Sequence, residues 1–438
     1  MLNAIKSAIS RIENLARSKS IKVISHYDSD GITSAAIFTK TLERWKKTFS
    51  LKITKSLDEQ LIKSLPEDEI LIFLDLASNS LNYLKDKKTE IFILDHHEII
   101  QEVPENVTLI NPHLFDKEQI SSAAICYLFA KTLSPSNKDL SSLAVIGMIG
   151  DSLEKNIGKT FNEIIKDSET LIKRGLIIYP STRPLDKALE YSSSPYIPGV
   201  TGSYRGVIEL LKDANLSNKN GKYPALYELT EEEMSNLVTA IMLKQINHSP
   251  NPDLIGNLYL IKFFNKLEDA RELSALINAC SRMKKSFLSL GFCLGNKKSK
   301  EEAEKTYIEY KQHLVSALKF VSETEKISGK YYTIINAKDN IKDTIIGTVA
   351  SIISNSTAYT EGTIIIALAY DEDKIKVSAR IAGKQGRNVR EILNQAVITL
   401  GGEVGGHHRA AGCLIPREQE QAFITEIKKI LDIELVKV

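Results

Sequence analysis

Histidine and aspartate side chains cluster in four short segments within the first 151 residues of this 438-residue chain. In chain order these residues are His26, Asp28 and Asp30 in HYDSDG, Asp75 in FLDLAS, Asp95-His96-His97, and Asp151 at the end of VIGMIGD. A single acid at the start of a loop is commonplace, because it caps turns and helices. So many acids brought side by side would instead repel one another, and cations between them would remove that repulsion.

The mixture of imidazole and carboxylate ligands favours Mn²⁺, Zn²⁺ or Fe²⁺ over Mg²⁺ and Ca²⁺. There are enough ligands for two ions that share a bridging carboxylate, and such a pair can activate a water and clamp phosphoryl oxygens. No Ser, Cys or Lys stands out as a covalent nucleophile. The residues therefore predict phosphoester hydrolysis by a water that two divalent ions activate, with manganese preferred and magnesium possible.

The elements that must position these residues are short apolar strands that alternate with helices. We predict strands at residues 21–25, 70–74, 91–94 and 107–110, and helices at 32–45, 121–131 and 140–150. This alternation predicts an α/β fold with a parallel, doubly wound N-terminal sheet. Ligands bind such sheets beyond the carboxyl ends of the strands, and the first three segments follow directly after strands.

The rest of the chain predicts a mostly helical middle region, a linker helix and a smaller C-terminal α/β domain. The turn-rich stretch 192–202 interrupts the middle, and the charged segment 297–325 is typical of a long exposed helix joining two lobes. In the C-terminal part we predict strands at 331–336, 362–370 and 375–381, and helices at 345–354, 388–400 and 418–432. The expected divisions are 1–155, 156–296, 297–327 and 328–438.

A second group of candidate residues lies near the C-terminus, in GGEVGGHHRAAG at 401–412. Paired glycines such as Gly405 and Gly406 let a backbone approach an anion and point N–H groups at it. His407 and Arg409 can add side-chain donors, and Arg380 at the end of a strand is a candidate phosphate clamp. A plain helix cap and turn, or a surface charge at Arg380, would give the same pattern.

Composition limits the classes of protein without choosing among them. The formal net charge is +2, with 43% apolar and 26% charged residues, as in an ordinary soluble globular protein. A polyanion would therefore need a local groove, since no strong overall charge attracts it. No apolar run approaches the roughly 18 residues that span a bilayer, and the N-terminus lacks the pattern of a secretory signal. The four cysteines form no C-x-x-C pair, which predicts buried reduced thiols in a cytoplasmic protein.

At these residues the sequence resembles the DHH phosphoesterase superfamily, named for the triplet seen here as Asp95-His96-His97. The four N-terminal motifs occur in the family's order, and GGHHRAAG matches the signature of the DHH-associated C-terminal domain. The resemblance implies one ion held by His26, Asp28 and Asp75, and another held by Asp30, Asp75, His96 and Asp151. Asp75 would bridge, and His97 would support the site or face the phosphate.

The same resemblance assigns roles outside the metal site. His407 and the backbone of Gly405–Gly406 would bind the substrate phosphate, supported by Arg380. The middle region resembles archaeal RecJ-like proteins in TRPLDKALEY, SPYIPGVTG and ARELSALINACSRM. Candidate contacts there are Tyr191 and Tyr196, which could stack on bases, and Arg282, which shares a helix face with Asn278 and Ser281. In the N-terminal part, His113 after Asn-Pro is a turn residue that could support the metals.

Three functions remain open at this stage. The first is a single-strand-specific exonuclease on DNA or RNA that releases mononucleotides in replication or repair, because RecJ-like members admit single strands between their lobes. The second is a phosphodiesterase of short substrates such as nano-RNA or cyclic dinucleotides. The third is a structural subunit of a replicative helicase, and the resemblance also implies docking on factors such as the GINS complex. Degenerate relatives of that structural kind have lost metal ligands, whereas this chain has each expected one.

Overall fold

The computed structural model describes residues 1–115, 118–192, 197–218, 220–244, 254–356, 358–398, 400, 402 and 404–433. Tyr196 and Gly401, which were considered above, lie outside the described residues. The described chain forms two compact units. The first unit comprises residues 1–244 and 254–307, and the second unit comprises residues 308–433.

The first unit is built on a five-stranded parallel sheet in the order β2-β1-β3-β4-β5. Its strands are β1 (Ile21–His26), β2 (Phe49–Thr54), β3 (Ile70–Leu74), β4 (Ile91–Leu94) and β5 (Val107–Ile110). Strands β3 and β4 are buried along their whole length, as the central strands of a parallel sheet must be. The parallel sheet predicted from the sequence is thus confirmed.

The helices of this part are α1 (Leu2–Leu15), α2 (Ser29–Arg44), α3 (Glu59–Ser64), α4 (Ser122–Leu133) and α5 (Ser141–Gly150). Helix α2 begins three residues earlier than predicted, because the Asp28 carboxylate accepts the N–H of Gly31 and caps the helix inside the first motif. Strand β2 was not predicted from the sequence. It is an edge strand whose Ser50 and Lys52 are exposed, so its apolar pattern is weak.

The middle region is mostly helical, as predicted, but it also contains a three-stranded antiparallel sheet that the sequence analysis missed. Its elements are α6 (Lys159–Asp167), β6 (Leu171–Leu176), α7 (Leu185–Glu190), α8 (Tyr204–Asp213), α9 (Glu231–Lys244), β7 (Ile255–Phe263), β8 (Lys266–Asp269), α10 (Ala270–Arg282) and α11 (Ser286–Cys293). A two-residue turn joins β7 to β8, and both of its residues, Phe264 and Asn265, have positive φ. Such turns usually contain glycine, and its absence hid the hairpin.

Helix α12 (Lys297–Glu323) contributes residues to both units. The second unit is then built from β9 (Ile327–Ser328), β10 (Tyr332–Asn336), α13 (Asp343–Ser354), β11 (Ile364–Asp371), β12 (Lys374–Ile381), α14 (Val389–Val397), β13 (Val404–His407), β14 (Ala410–Pro416) and α15 (Glu420–Asp432). The sheet order is β13-β14-β12-β11-β10-β9, with β10 and β11 parallel and the other pairs antiparallel. Helix α12 was predicted to be exposed, yet one side of it is buried, at Ala303, Tyr310, Ala317 and Val321.

One face of the second sheet packs against α14 and α15, where Val377, Leu393, Phe423 and Ile427 belong to a continuous apolar core. The hairpin β13–β14 was not predicted, because Gly405, Gly406 and the Ala410–Gly412 run are poor in strand-forming residue types. The four cysteines are buried and unpaired, as expected. Within the described ranges, no helix is both long and apolar enough to cross a membrane.

Gly31 allows the start of α2 to lie against the end of β1. A Cβ at this position would lie 2.3 Å from the carbonyl oxygen of His26. We therefore expect Gly31→Ala to lower the free energy of unfolding by about 1–3 kcal/mol, the usual cost of overpacking. Urea unfolding of the whole chain measures this. Gly405→Ala is the control, since a Cβ there meets nothing within 4 Å. Equal unfolding midpoints for the two variants would contradict the account.

Candidate metal centre

The four histidine and aspartate segments meet at the carboxyl edge of the parallel sheet. Strand β1 leads into His26 and Asp28, the neighbouring β3 into Asp75, and the next strand, β4, into Asp95-His96-His97. Asp151 is the C-cap of α5 and joins them from the side. Parallel neighbours end at the same edge of a sheet, so sequence order and strand order together place these side chains in one site.

Asp75 lies at the middle of the site. Its Oδ2 is 3.3 Å from Nδ1 of His26, and its Oδ1 is 3.4 Å from Nε2 of His96. The Asp75 backbone has φ +59°, a left-handed conformation that few non-glycine residues adopt. Ser122 at the start of α4 donates its hydroxyl to Oδ1 at 3.0 Å. The two carboxylate oxygens therefore face two different imidazoles.

Two groups of ligand atoms flank Asp75, and they overlap with a further set that consists of Asp75, Asp95, His96 and His97. His26, Asp28 and Asp75 offer atoms within 4.8 Å of one another, and so do Asp30, His96 and Asp151. In the first group His26 Nδ1 is 3.1 Å from Asp28 Oδ2, and in the second His96 Nε2 is 3.3 Å from Asp151 Oδ2. Each group could hold one divalent ion with the carboxylate of Asp75 between them.

The chemistry of these residues fits divalent cations. Oδ2 of Asp151 is buried and makes no hydrogen bond among the described residues, although Nε2 of His96 lies 3.3 Å away. A buried carboxylate oxygen without a donor is costly, and a cation would satisfy it. Carboxylates and imidazoles together are ligands typical of Mn²⁺ and related ions. No ion is present in the structure, and the fit rests on these residues.

Asp30 is held by the N-terminus of α4. Its oxygens accept the N–H groups of Ser122 at 2.7 Å and Ala123 at 3.0 Å, where the helix dipole favours a negative charge. Gly147 of α5 lies against the same carboxylate, and a Cβ there would come within 2.6 Å of Oδ1. Asp30 is therefore oriented by two helices, with Oδ2 4.0 Å from His96 Nε2.

Asp95 uses both of its oxygens on donors from the protein. Oδ1 accepts the N–H of His96 at 2.8 Å and contacts Nδ1 of His97 at 2.7 Å, while Oδ2 accepts the N–H of Ser78 at 2.9 Å. Asn111 donates to the carbonyl of His97 at 2.9 Å. Asp95 and Asn111 thus fix the orientation of His97, as carboxylates commonly do for ligand-side histidines.

Crowding shifts the titration of most of these groups. Burial, reinforced by the charge of Asp75, raises the pKa of Asp30 to about 7. Burial alone would lower the pKa of His96, but its hydrogen bond to Asp75 and the charges of Asp151 and Asp30 outweigh burial and raise it to about 10. Burial and the charge of Asp30 likewise raise the pKa of Asp151 well above its ordinary value. The site therefore retains protons at neutral pH that a cation would displace.

In the ligand group of His26 and Asp28, the pKa values of the histidine and the carboxylate are shifted in opposite directions. Burial opposes the charged forms of both His26 and Asp28, but their mutual attraction outweighs it. The pKa of His26 is consequently raised well above its ordinary value, and that of Asp28 lies below its usual range. The pKa of Asp95 is also low, because its contacts with His97 outweigh burial. These shifts follow from opposite charges close together in a poorly solvated place.

The residues predicted outside the metal group occupy several places. Asn278 of α10 accepts the N–H of Ser29 at 2.9 Å and so supports the start of α2, and Arg282 lies one helical turn further on, half-buried. His113 has an exposed side chain in a 3-10 turn and is not part of the metal-ligand groups found among the described residues. Tyr191 is exposed at the end of α7.

The predicted phosphate-binding residues lie in the second unit. His407, Ala410 and Arg380 are directly paired on three adjacent strands, so their side chains share one face of the sheet. Arg380 donates to Ser351 Oγ at 2.8 Å and to the carbonyl of Ala379 at 2.8 Å. Arg409 is exposed and donates to the carbonyl of Gly383.

The two glycines of this hairpin have different surroundings. Gly406 has φ +113°, and a Cβ there would lie 2.4 Å from the carbonyl oxygen of Ala410, so the position requires glycine. Gly405 is exposed and has open space around it. Both lie in β13, which is an edge strand of this sheet among the described residues.

Sequence reasoning missed the residues that orient the ligands. Ser122, Ser78 and Asn111 contact the site only because α4 and the loops after β3 and β5 converge on it. The only local sign was the serine pair at the start of a predicted helix, which is equally typical of an ordinary cap. Asn278 was noted for its helix face, and its contact with Ser29 joins positions 249 residues apart.

Comparison with known proteins identifies three domains in the chain. Residues 20–150 match the DHH family N-terminal domain, residues 179–258 the DHH-CID domain, and residues 328–432 the DHHA1 domain. The chain therefore belongs to the DHH family and is RecJ-like, with a DHH domain, a DHH-CID domain and a DHHA1 domain in that order. This fold supports phosphoester hydrolysis, and the acidic site supports divalent metals.

Three similar proteins illustrate the range of relatives. An uncharacterized protein of Methanocaldococcus jannaschii is 28% identical over 437 residues, which cover 95% of this chain and 94% of that protein. A crystal structure of exonuclease RecJ bound to manganese has a TM-score of 0.62 at 16% identity and covers 98% of this chain and 95% of that chain. Cdc45 from Entamoeba histolytica has a TM-score of 0.69 at 12% identity, with 99% of both chains covered. At these identities the two structures show a shared fold.

Manganese binding should be linked to pH. A bound cation needs Asp30 ionised and His96 neutral, yet their pKa values are about 7 and about 10 in the metal-free site. Binding near pH 7 should therefore release protons, and affinity should rise as the pH increases from about 6 to about 8. Calorimetric titration with MnCl₂ in buffers of different ionisation enthalpy counts the released protons. Binding without proton release, or an affinity that falls as the pH increases, would contradict the assignment.

Proposed function

We propose that this chain is a metal-dependent, single-strand-specific exonuclease that hydrolyses phosphodiester bonds of DNA or RNA and releases mononucleotides. The observation that carries the proposal is Asp75, whose two oxygens face the two separate ligand groups at 3.3 and 3.4 Å. A shared carboxylate between two groups of ligands is the arrangement of a two-metal phosphoesterase. The resemblance of the fold to that of exonuclease RecJ bound to manganese supports the choice of a nuclease.

The proposed division of labour follows the domain limits expected from the sequence. His26, Asp28, Asp30, Asp75, His96 and Asp151, within residues 1–155, would hold two divalent ions, Mn²⁺ by preference. Bound there, the ions would lower the pKa of a water and neutralise charge on the phosphoryl oxygens. His97, which Asp95 orients through Nδ1 at 2.7 Å, could present its other ring nitrogen to the phosphate or to the leaving oxygen.

The chain's remaining residues would bind and orient the strand. Arg380 and His407 share one sheet face in the second unit with only Ala410 between them. A guanidinium and an imidazole so placed can hold a phosphate by charge-assisted hydrogen bonds. Arg282, one turn after the Asn278 that supports the start of α2, is proposed as a further phosphate contact. The backbone of Gly405 and Gly406, in the edge strand β13, is proposed in the same role.

The fold shared with Cdc45 suggests a second candidate, a structural role in a replicative helicase assembly and association with factors such as the GINS complex. A structural subunit has no need of the close His96–Asp151 and His26–Asp28 approaches, at 3.3 and 3.1 Å, within groups suited to a cation. We therefore place the nuclease first and treat partner binding as an additional role that the same chain could serve. A phosphodiesterase of short oligonucleotides is the third candidate.

Cleavage of defined substrates tests these candidates together. The purified chain is incubated with Mn²⁺ and end-labelled oligonucleotides of roughly 20–30 nucleotides, as DNA and RNA, single-stranded and duplex, and with dinucleotides. We expect stepwise release of mononucleotides from single strands, and no release by the Asp28→Ala/Asp30→Ala double variant, which loses a ligand from each group. The position of the retained label gives the polarity.

The other results of that assay separate the alternatives. Cleavage confined to dinucleotides would move the assignment to short substrates. No cleavage of any substrate by a chain that binds Mn²⁺ would overturn the nuclease and leave the structural role. If the double variant cleaved as fast as the parent, the activity would not belong to this site.

Arg380 should act in substrate binding. Loss of one charge-assisted hydrogen bond costs about 1.5–3 kcal/mol, so Arg380→Ala should raise KM for a single strand roughly tenfold or more. Because uniform binding is lost, kcat should change little. Arg390→Ala is the matched control, since Arg390 is an exposed arginine of the same unit at the start of α14. A fall in kcat with unchanged KM, or equal effects of the two variants, would contradict the role.

A further inference from the structure

A buried ion pair connects the segment that follows Asp151 to the start of α10. Glu154 lies three residues after Asp151, in a short 3-10 turn at Leu153–Lys155. Its Oε1 is 3.5 Å from Nε of Arg271, and the two side chains are only 12% and 9% exposed. Neither residue belongs to the metal-ligand groups or to the phosphate-binding residues described above.

Arg271 is anchored on three further sides. Its Nη2 donates to the carbonyl of Asn257 in β7 at 2.9 Å, and its guanidinium lies 5.9 Å from the centre of the Tyr259 ring, which is fully buried. Its backbone N–H donates to the Asp269 carboxylate at 2.9 Å. Arg271 is thereby fixed to the three-stranded sheet of the middle region, which makes it a rigid partner for Glu154.

The Asp269 carboxylate extends this anchor to another segment. Its second oxygen accepts the N–H of Ser181 at 2.9 Å and the hydroxyl of the same residue at 2.5 Å. Asp269 is fully buried and caps α10. The loop before TRPLDKALEY, the hairpin β7–β8 and α10 are therefore joined at one polar point from which Arg271 reaches Glu154.

The turn after Asp151 is in an unusual backbone conformation. Ser152 has φ +59°, which redirects the chain immediately after the ligand. A left-handed serine is sparsely populated and persists when the surroundings determine it. Glu154 is the side chain through which this turn pairs with Arg271, so the ion pair fixes the segment that leaves Asp151.

The geometry of the Glu154–Arg271 ion pair is poorly suited to stabilising the fold. Nη1 of Arg271 and Oε2 of Glu154 are buried and have no hydrogen-bond partner among the described residues. A buried ion pair with unsatisfied atoms often stabilises a fold less than apolar side chains of similar volume would. An orienting role explains why charged residues occupy these two positions.

We propose that Glu154 and Arg271 are positioning residues that hold Asp151 in the second ligand group, with Asp30 and His96. The proposal rests on the proposed metal site and extends it into the middle region. It makes the occupancy of one ion dependent on residues of β7 and α10. The first group, with His26 and Asp28, does not depend on this contact and should be unaffected.

Manganese titration of the full chain tests the proposal without relying on catalysis. The parent should bind two ions, and Asp151→Asn identifies the event that belongs to the second group. In Glu154→Gln and in Arg271→Met the manganese affinity of that event should fall roughly tenfold, the usual effect of losing an orienting partner. The affinity of the other event should stay within about twofold of the parent's. Arg271→Lys keeps the charge and should restore most of the affinity.

Two comparisons separate positioning from stability. The Glu154→Gln/Arg271→Met double variant contains no lone buried charge, so it should fold even if a single variant does not, and its second event should remain weak. Arg44→Met removes another ion pair, with Asp139, at the opposite end of α2, roughly 20 Å from the site by helix length. It should change thermal stability without changing either binding event.

The contrary results are equally clear. Unchanged affinities in Glu154→Gln and Arg271→Met would overturn the proposal, and so would an equal weakening of both events. A parent that binds no manganese would overturn both this inference and the metal site. A parent that binds two ions but cleaves no phosphodiester would overturn only the proposed nuclease activity. The manganese affinities of the variants would still decide whether Glu154 and Arg271 are positioning residues.

Discussion

The crowding of carboxylates at one edge of the parallel sheet is the constraint on which the rest of the structure depends. Asp28, Asp30, Asp75 and Asp151 come together with His26 and His96 in a poorly solvated place, where their charges raise some pKa values and lower others. An arrangement of this kind opposes folding unless something neutralises it. Protons do so in the metal-free state, and divalent cations would do so more completely, which is why a metal centre accounts for features that stability alone does not.

The scaffold serves this crowded edge in specific ways. Strands β1, β3 and β4 are neighbours, so their ends deliver three of the four segments to one place. The N-terminus of α4 offers N–H groups to Asp30, and glycines at 31 and 147 let helices approach where a Cβ would collide. Asp75 adopts a positive φ at the centre, in keeping with the observation that strained residues are concentrated at functional sites.

Sequence alone predicted much of the fold and the grouping of the ligands. Strands at 70–74, 91–94 and 107–110 were predicted with their exact limits, because short, largely apolar runs between turn residues are typical of buried strands in a parallel sheet. The elements that were not predicted have weak sequence patterns. They are the edge strand β2, the glycine-rich β13 and the β7–β8 hairpin with its turn at Phe264–Asn265. The contacts that support the site, such as Ser122 with Asp75 and Asn278 with Ser29, could not be predicted, since they join positions 47 and 249 residues apart.

The central claim is that Asp75 bridges two ions, and the most direct test is the anomalous diffraction of crystals grown with Mn²⁺. Two peaks roughly 3.5–4 Å apart are expected, one on each side of the Asp75 carboxylate, with His26 and Asp28 on one ion and Asp30, His96 and Asp151 on the other. A single peak bound by one group alone, or two peaks of which neither contacts Asp75, would contradict the account.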